Sequence, residues 1–215
     1  MSVRSESVGS KAGVSTRQRL LREGLAAFFE RGYHASGVQH IVDAAEMPKG
    51  SFYNHFKSKE DLAIQSIESY SAAIHGELAD RFRTVDGASA LEALDGVLEE
   101  LILLQEGLAA RRGCLLANLG GEVATTSPSL RDALRAGYES WRGPLAELFG
   151  RGQTEGSIRS DLPAAELADF FLDVWEGALL RMKIEGGSTR PLEERRRHLV
   201  TQFLPAPAVT RGSRS

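Results

Sequence analysis

Residues 36–59 read Ser36-Gly-Val-Gln-His-Ile-Val-Asp-Ala-Ala-Glu-Met-Pro-Lys-Gly-Ser-Phe-Tyr-Asn-His-Phe-Lys-Ser-Lys59, and this stretch decides the fold. Val38, Ile41, Val42 and Ala45 recur at helical spacing and make one apolar face. Met47-Pro48 breaks that helix, because proline disfavours the α conformation in the residue before it. Pro48 also suits the first turn of a new helix, where a missing N–H costs nothing. The second helix, Lys49 to Phe56, puts Phe52 and Phe56 on its inner face and leaves Lys49, Ser51, Tyr53, Asn54 and His55 outward. Two short helices joined by a tight turn, the second with a polar outer face, are the layout of a helix-turn-helix, whose second helix enters the DNA major groove.

The run from Pro48 to Leu62, PKGSFYNHFKSKEDL, resembles the recognition-helix signature of the TetR family of bacterial transcriptional repressors at nearly every fixed position. The preceding helix, Thr16 to Gly32, fits as well: Leu20, Leu21, Leu25, Phe28 and Phe29 form its apolar face, and Gly32-Tyr33 close it. The resemblance covers about Arg17 to Ile64. It implies an all-α protein, with a three-helix DNA-binding head and a helical ligand-binding and dimerisation body. It also implies a homodimer on a pseudo-palindromic operator, with half-sites ~34–36 Å apart, built through the last two helices, about 164–185 and 192–203.

The outward residues carry the expected DNA chemistry. Lys49 can reach a base edge or a phosphate. Ser51 can donate to either, and Tyr53 and His55 can donate to phosphates. Asn54 can read adenine through two hydrogen bonds. Lys59 opens the next helix, where its ammonium and the backbone amides can both meet phosphate. Ser36 reads as the N-cap of the helix before the recognition helix. With Gln39 and Gly50 it completes the expected DNA-binding set. Gly37 departs from the family, which often has Ser or Thr there. For Tyr53 and His55 the competing reading is packing or capping of the head.

Composition is that of an ordinary globular chain, with 42% hydrophobic and 26% charged residues. No apolar run approaches the ~20 residues that span a bilayer. The N-terminus has no hydrophobic segment, and one cysteine excludes an intrachain disulfide, so a cytoplasmic protein is expected. The net charge of −3 argues against nucleic acid, but its distribution does not. Residues 1–63 carry 9 Lys/Arg against 7 Asp/Glu, and the remainder 17 against 22. A mildly basic head sits on an acidic body.

Residues 1–14 read as a disordered arm, 15–60 as the helix-turn-helix head, 61–204 as the body and 205–215 as a flexible tail. Helices are expected at about 15–31, 37–45, 49–55 and 59–83. The body adds one through Leu91–Leu104, a short one over Leu115–Val123, and others over Pro128–Gly152, Ala164–Glu185 and Leu192–Phe203. His34, His40, His55, His75 and His198 are scattered. There is no P-loop, dinucleotide fingerprint or GxSxG, so neither an enzyme nor a cofactor is expected.

Two segments of the body, Arg112–Glu122 and Trp175–Glu185, resemble a subgroup of TetR repressors that includes those of acrylate utilisation and of N-ethylmaleimide reductase. In the latter, a cysteine and a lysine respond to electrophiles and oxidants; the resemblance places these roles at Cys114 and Lys183. Arg111 and Arg112, and a helix beginning near Gly113, would lower the thiol pKa. The opposing reading makes Cys114 a buried spacer beside a noncovalent hydrophobic or small-acid ligand. The acrylate-type resemblance implies an α,β-unsaturated acid or thioester held near Arg or Lys. Asn118, Tyr138, Trp141, Phe171 and Trp175 are candidate cavity walls, for each of which core packing is the competing reading. Glu176, within an apolar stripe, is expected to pair with Arg181 or Lys183.

Overall fold

A computed structural model describes residues 15–84, 87–107 and 113–207. The N-terminal arm, Arg111, Arg112 and most of the tail lie outside them. Among the described residues the chain is helical throughout, as expected: α1 (Thr16–Ala35), α2 (Val38–Ala44), α3 (Lys49–Tyr53), α4 (Lys59–Thr84), α5 (Ala90–Gly107), α6 (Leu115–Val123), α7 (Pro128–Glu155), α8 (Ala164–Ile184) and α9 (Arg190–His198), the last running into a π-helical turn at Leu199–Phe203.

The head forms where its sequence signals lie. Ser15 caps α1 in a reciprocal box with Gln18. Leu20, Phe28, Ile41, Val42, Phe52 and Phe56 are buried together, so α1, α2 and α3 share one small core. The recognition helix is shorter than its pattern suggests. It ends at Tyr53 because Asn54 and His55 tighten into a turn, with the His55 and Phe56 amides both donating to the Phe52 carbonyl. α1 is broken at Gly32 (φ 76°, ψ −179°), where the sequence closes it.

Two long helices, α4 and α7, make the spine of the body, and α8 packs on α7 with α9 outside it. Trp141 of α7 donates its indole N–H to the Ser71 carbonyl of α4 at 3.0 Å, a buried bond that fixes the crossing. Ser127 caps α7 ahead of Pro128, and its hydroxyl donates to Glu60 of α4 at 2.5 Å. The stripe on α8 divides: Leu167, Ala168, Phe171, Trp175, Ala178, Leu179 and Met182 face inward, while Phe170, Leu180 and Ile184 stay exposed. Pro205 and Ala206, read above as the start of the tail, are instead pinned. Arg159 N donates to Leu204 O and Ala206 N to Ser157 O, around an antiparallel bridge between Ile158 and Pro205. No described helix is long and apolar enough to cross a membrane.

Candidate functional site

The recognition helix presents an exposed polar face over its two buried phenylalanines. Lys49, Gly50, Tyr53, Asn54 and His55 are exposed and Ser51 half-buried; Tyr53 alone keeps 56% of its surface. Gln39 lies exposed on α2, its amide donating to Asp43 at 2.8 Å. Phe52 is spent on the core, so what remains outward along α3 and the turn that follows it is a set of polar donors.

Two expected contacts turn inward. Ser36 is fully buried and closes α1 rather than capping α2, whose N-cap is Gly37. Its hydroxyl lies 2.6 Å from the Gly32 carbonyl and 3.0 Å from that of Ala27, which takes it away from phosphate. Lys59 folds its ammonium back onto Tyr33, donating to the carbonyl at 2.9 Å and lying 4.1 Å from the ring centroid. Burial lowers its pKa, and Glu122 partly restores it.

Glu122, near the end of α6, completes this joint. Its carboxylate accepts from the Tyr33 and His34 amides, both at 3.1 Å. Lys59 and Glu122 thus grip the peptide at Tyr33 from two helices. The grip needs Gly32, because a Cβ there would lie 1.9 Å from Glu122 Oε1 in a left-handed conformation that other residues resist. No local pattern announces Glu122; its partners are 88 and 89 positions away.

At the other end of α6, Cys114 is the N-cap residue and only 4% exposed. It separates two hollows. An inner cavity of about 310 Å³ is walled by aromatic groups that include Trp141, Phe171 and Trp175. An outer cleft of about 640 Å³ lies against the end of α1 and contains Asn118 and Lys183. The Lys183 ammonium donates to Asn118 Oδ1 at 2.7 Å. Cys114 and Glu176 line both spaces. Tyr138 joins neither. It packs edge-on against Trp141 at 5.6 Å and lines a surface groove with Arg142 and Asp169.

The electrostatics differ from the sequence expectation. Burial pushes the Cys114 thiol well above its ordinary range, and the facing Glu176 carboxyl raises it further. The amides of Leu116 and Ala117, in the first turn of α6, pull the other way without a full capping hydrogen bond, and lose. The resting thiol is therefore protonated. Burial likewise raises Glu176, to about 7, with Cys114 holding it down slightly. Tyr70 and Tyr138 are raised as well, first by burial and then by these same groups. Glu176 pairs with neither expected cation, since Arg181 binds Glu185 at 2.5 Å and Lys183 binds Asn118. Glu176 Oε2 is buried with no hydrogen-bond partner among the described residues. Among the described residues no group of three or more metal-ligating side chains converges.

A helix-turn-helix head, gripped by a helical body that encloses a cavity, is the architecture of a DNA-binding regulator. The chain belongs to the TetR family of bacterial transcriptional regulators, which are not enzymes. Residues 20–65 match the family described as bacterial regulatory proteins, tetR family, and residues 90–199 match the tetracyclin repressor-like C-terminal domain. It is similar to the HTH-type transcriptional repressor DhaR of Mycobacterium sp. (strain GP1), 38% identical over 185 residues, which cover 85% of this chain and 89% of that protein. It is similar to the transcriptional regulator AcuR of Cereibacter sphaeroides, 38% identical over 178 residues covering 78% and 76%. Its fold matches the reduced form of E. coli NemR with a TM-score of 0.82 at 28% identity, covering 90% of this chain and 99% of that one.

Proposed function

We propose that this protein is a cytoplasmic, homodimeric repressor that holds a pseudo-palindromic operator and releases it when a small electrophile or oxidant modifies Cys114. The observation that carries the reading is the position of α6: its N-cap residue bears the thiol, and its last turn holds the head through Glu122. Enlarging the sulfur at one end of a nine-residue helix displaces the carboxylate at the other. The head then loses the grip that sets the spacing of two recognition helices. Coupling of ~1–3 kcal/mol is typical of such switches.

The exposed recognition face supports the DNA role of Lys49, Gly50, Ser51, Tyr53, Asn54 and His55. Phe170, Leu180 and Ile184 on α8 support dimerisation through α8 and α9, as they form an outward apolar row that a second copy would cover. Addition to an electrophile requires the thiolate. Glu176 is the facing base; it takes the thiol proton as the S–C bond forms and returns it to the carbon left anionic by addition across a double bond. For oxidants, Lys183, which lines the outer cleft together with Cys114, is the amine that would capture the oxidised sulfur, a role drawn from the family resemblance.

A second reading keeps Cys114 as a spectator and fills the inner cavity noncovalently; the raised thiol pKa favours it. A gel-shift titration on the DNA upstream of the gene separates the two, with N-ethylmaleimide, hypochlorite and acrylate, for wild type and Cys114→Ser. Release of wild type alone supports the thiol switch. Release of both supports the noncovalent pocket, and failure of either protein to bind any upstream DNA refutes the operator reading.

A further inference from the structure

The chemistry of the inner cavity is unlike that of a site for an acid. Its wall is aromatic on several sides: Phe171 and Trp175 stack at 10° between planes, and Trp141 stands edge-on to Tyr70. Two buried oxygens on this wall, Glu176 Oε2 and Gln105 Oε1, have no hydrogen-bond partner among the described residues. The Gln105 oxygen only accepts, and Glu176 only accepts once it is ionised, the state that a neighbouring cation favours. A second carboxylate, Glu77, lies on the same wall. The basic group there among the described residues, Arg81, is ion-paired with Glu100 of α5.

We propose that this cavity binds a small organic cation, an ammonium group carried on an apolar body. Each alternative leaves something unmet. A carboxylate would enter beside two acidic side chains with its only described basic neighbour already neutralised. A pure hydrocarbon would seal two acceptors away from water, and each buried unmet acceptor costs ~1–3 kcal/mol. An ammonium donates to both oxygens and lies against aromatic faces, whose negative quadrupoles attract it most strongly where water is excluded. The cavity, about 310 Å³, suits a molecule with one ring or a short branched chain. The proposal rests on the body being the sensing half of the protein, but not on Cys114 reacting.

The chain has two tryptophans, Trp141 and Trp175, and both line the cavity, so intrinsic fluorescence reports on this site. The full-length protein is titrated with benzylamine, benzyl alcohol and benzoate, which share a shape and differ in charge. Benzylamine should bind at least ~10-fold more tightly than the alcohol, and benzoate most weakly. Glu176→Gln should cut benzylamine affinity by ~10-fold or more and leave the alcohol within ~2-fold. The exposed Glu77→Gln should weaken benzylamine by a smaller factor, giving a test that does not disturb the core. Benzoate binding as tightly as benzylamine overturns the proposal, as does the absence of any emission change, or a Glu176→Gln protein that keeps the wild-type order. Operator release is read separately in the same samples. Benzylamine binding without release upholds the site and removes only its link to the repressor reading.

Discussion

Glu176 makes the body's stability depend on pH, and the size of the effect follows from its surroundings. Burial raises its carboxyl from 4.5 to about 7 in the folded protein. Below about pH 4.5 both folded and unfolded chains hold the proton, and the group contributes no difference. Between about pH 4.5 and 7 the unfolded chain releases it while the folded chain retains it, so stability falls as pH rises, by about 1.4 kcal/mol for each pH unit. Above about pH 7 the loss levels off near 3 kcal/mol. Tyr70, Cys114 and Tyr138 face the carboxyl from α4, α6 and α7, and they stay neutral throughout this range because burial raises each of them. Glu176→Gln keeps the shape and removes the ionisation. Urea unfolding of both proteins, at one fixed protein concentration and at several pH values from about 4.5 to about 8, gives a difference from which all other titrations cancel. The variant should gain on wild type by about 3 kcal/mol across the series. A difference that stays flat would mean that Glu176 is charged in the fold with a partner that satisfies it, and would refute the buried-acid argument together with its orphaned oxygen.

Glu122→Ala leaves the Tyr33 and His34 amides without their acceptor; because the joint is partly exposed, the loss should be about 1–3 kcal/mol, read as a lower melting temperature. Gly32→Ala should cost about 1–2 kcal/mol in backbone strain and more through collision with Glu122. The double substitution should cost less than the sum of the two, and additivity in that cycle would show that the clash is not real. Lys49→Ala should weaken operator binding and lower the salt slope by about 1. Its unfolding midpoint should stay within about 0.5 kcal/mol of wild type, since the side chain is exposed.

What could be read from the chain was what neighbouring residues decide among themselves. The Met47-Pro48 break, the buried pair Phe52 and Phe56, and the short α6 between Gly113 and the Ser127-Pro128 start of α7 all depend on spacing and local backbone preference. Ser36, Lys59 and Tyr138 are each polar or amphipathic, and packing rather than spacing along the chain sets where their side chains lie. Ser36 meets carbonyls of α1 across the Gly32 break, and Lys59 meets the end of α1. Glu176 could not have reached Arg181, five residues on, because that spacing turns the side chain well away from it on the helix. Its real neighbour, Cys114, comes from another helix altogether. The joint at Glu122 had no signature, as its partners are main-chain amides, which every sequence possesses.

The single buried cysteine also works as a clock. With one thiol in 215 residues, any reagent that labels the native protein reports one event, the opening of the body around α6. A sluggish electrophile meets many openings and closings before it reacts, so its labelling rate measures how often the open form is populated. A fast oxidant captures the thiol at nearly every opening, and its rate becomes the opening rate itself. The depth of Cys114 therefore filters by duration as well as by chemistry. Under the thiol-switch reading proposed above, a brief pulse of a weak electrophile would leave the sulfur untouched, whereas sustained exposure, or a strong oxidant, would modify it.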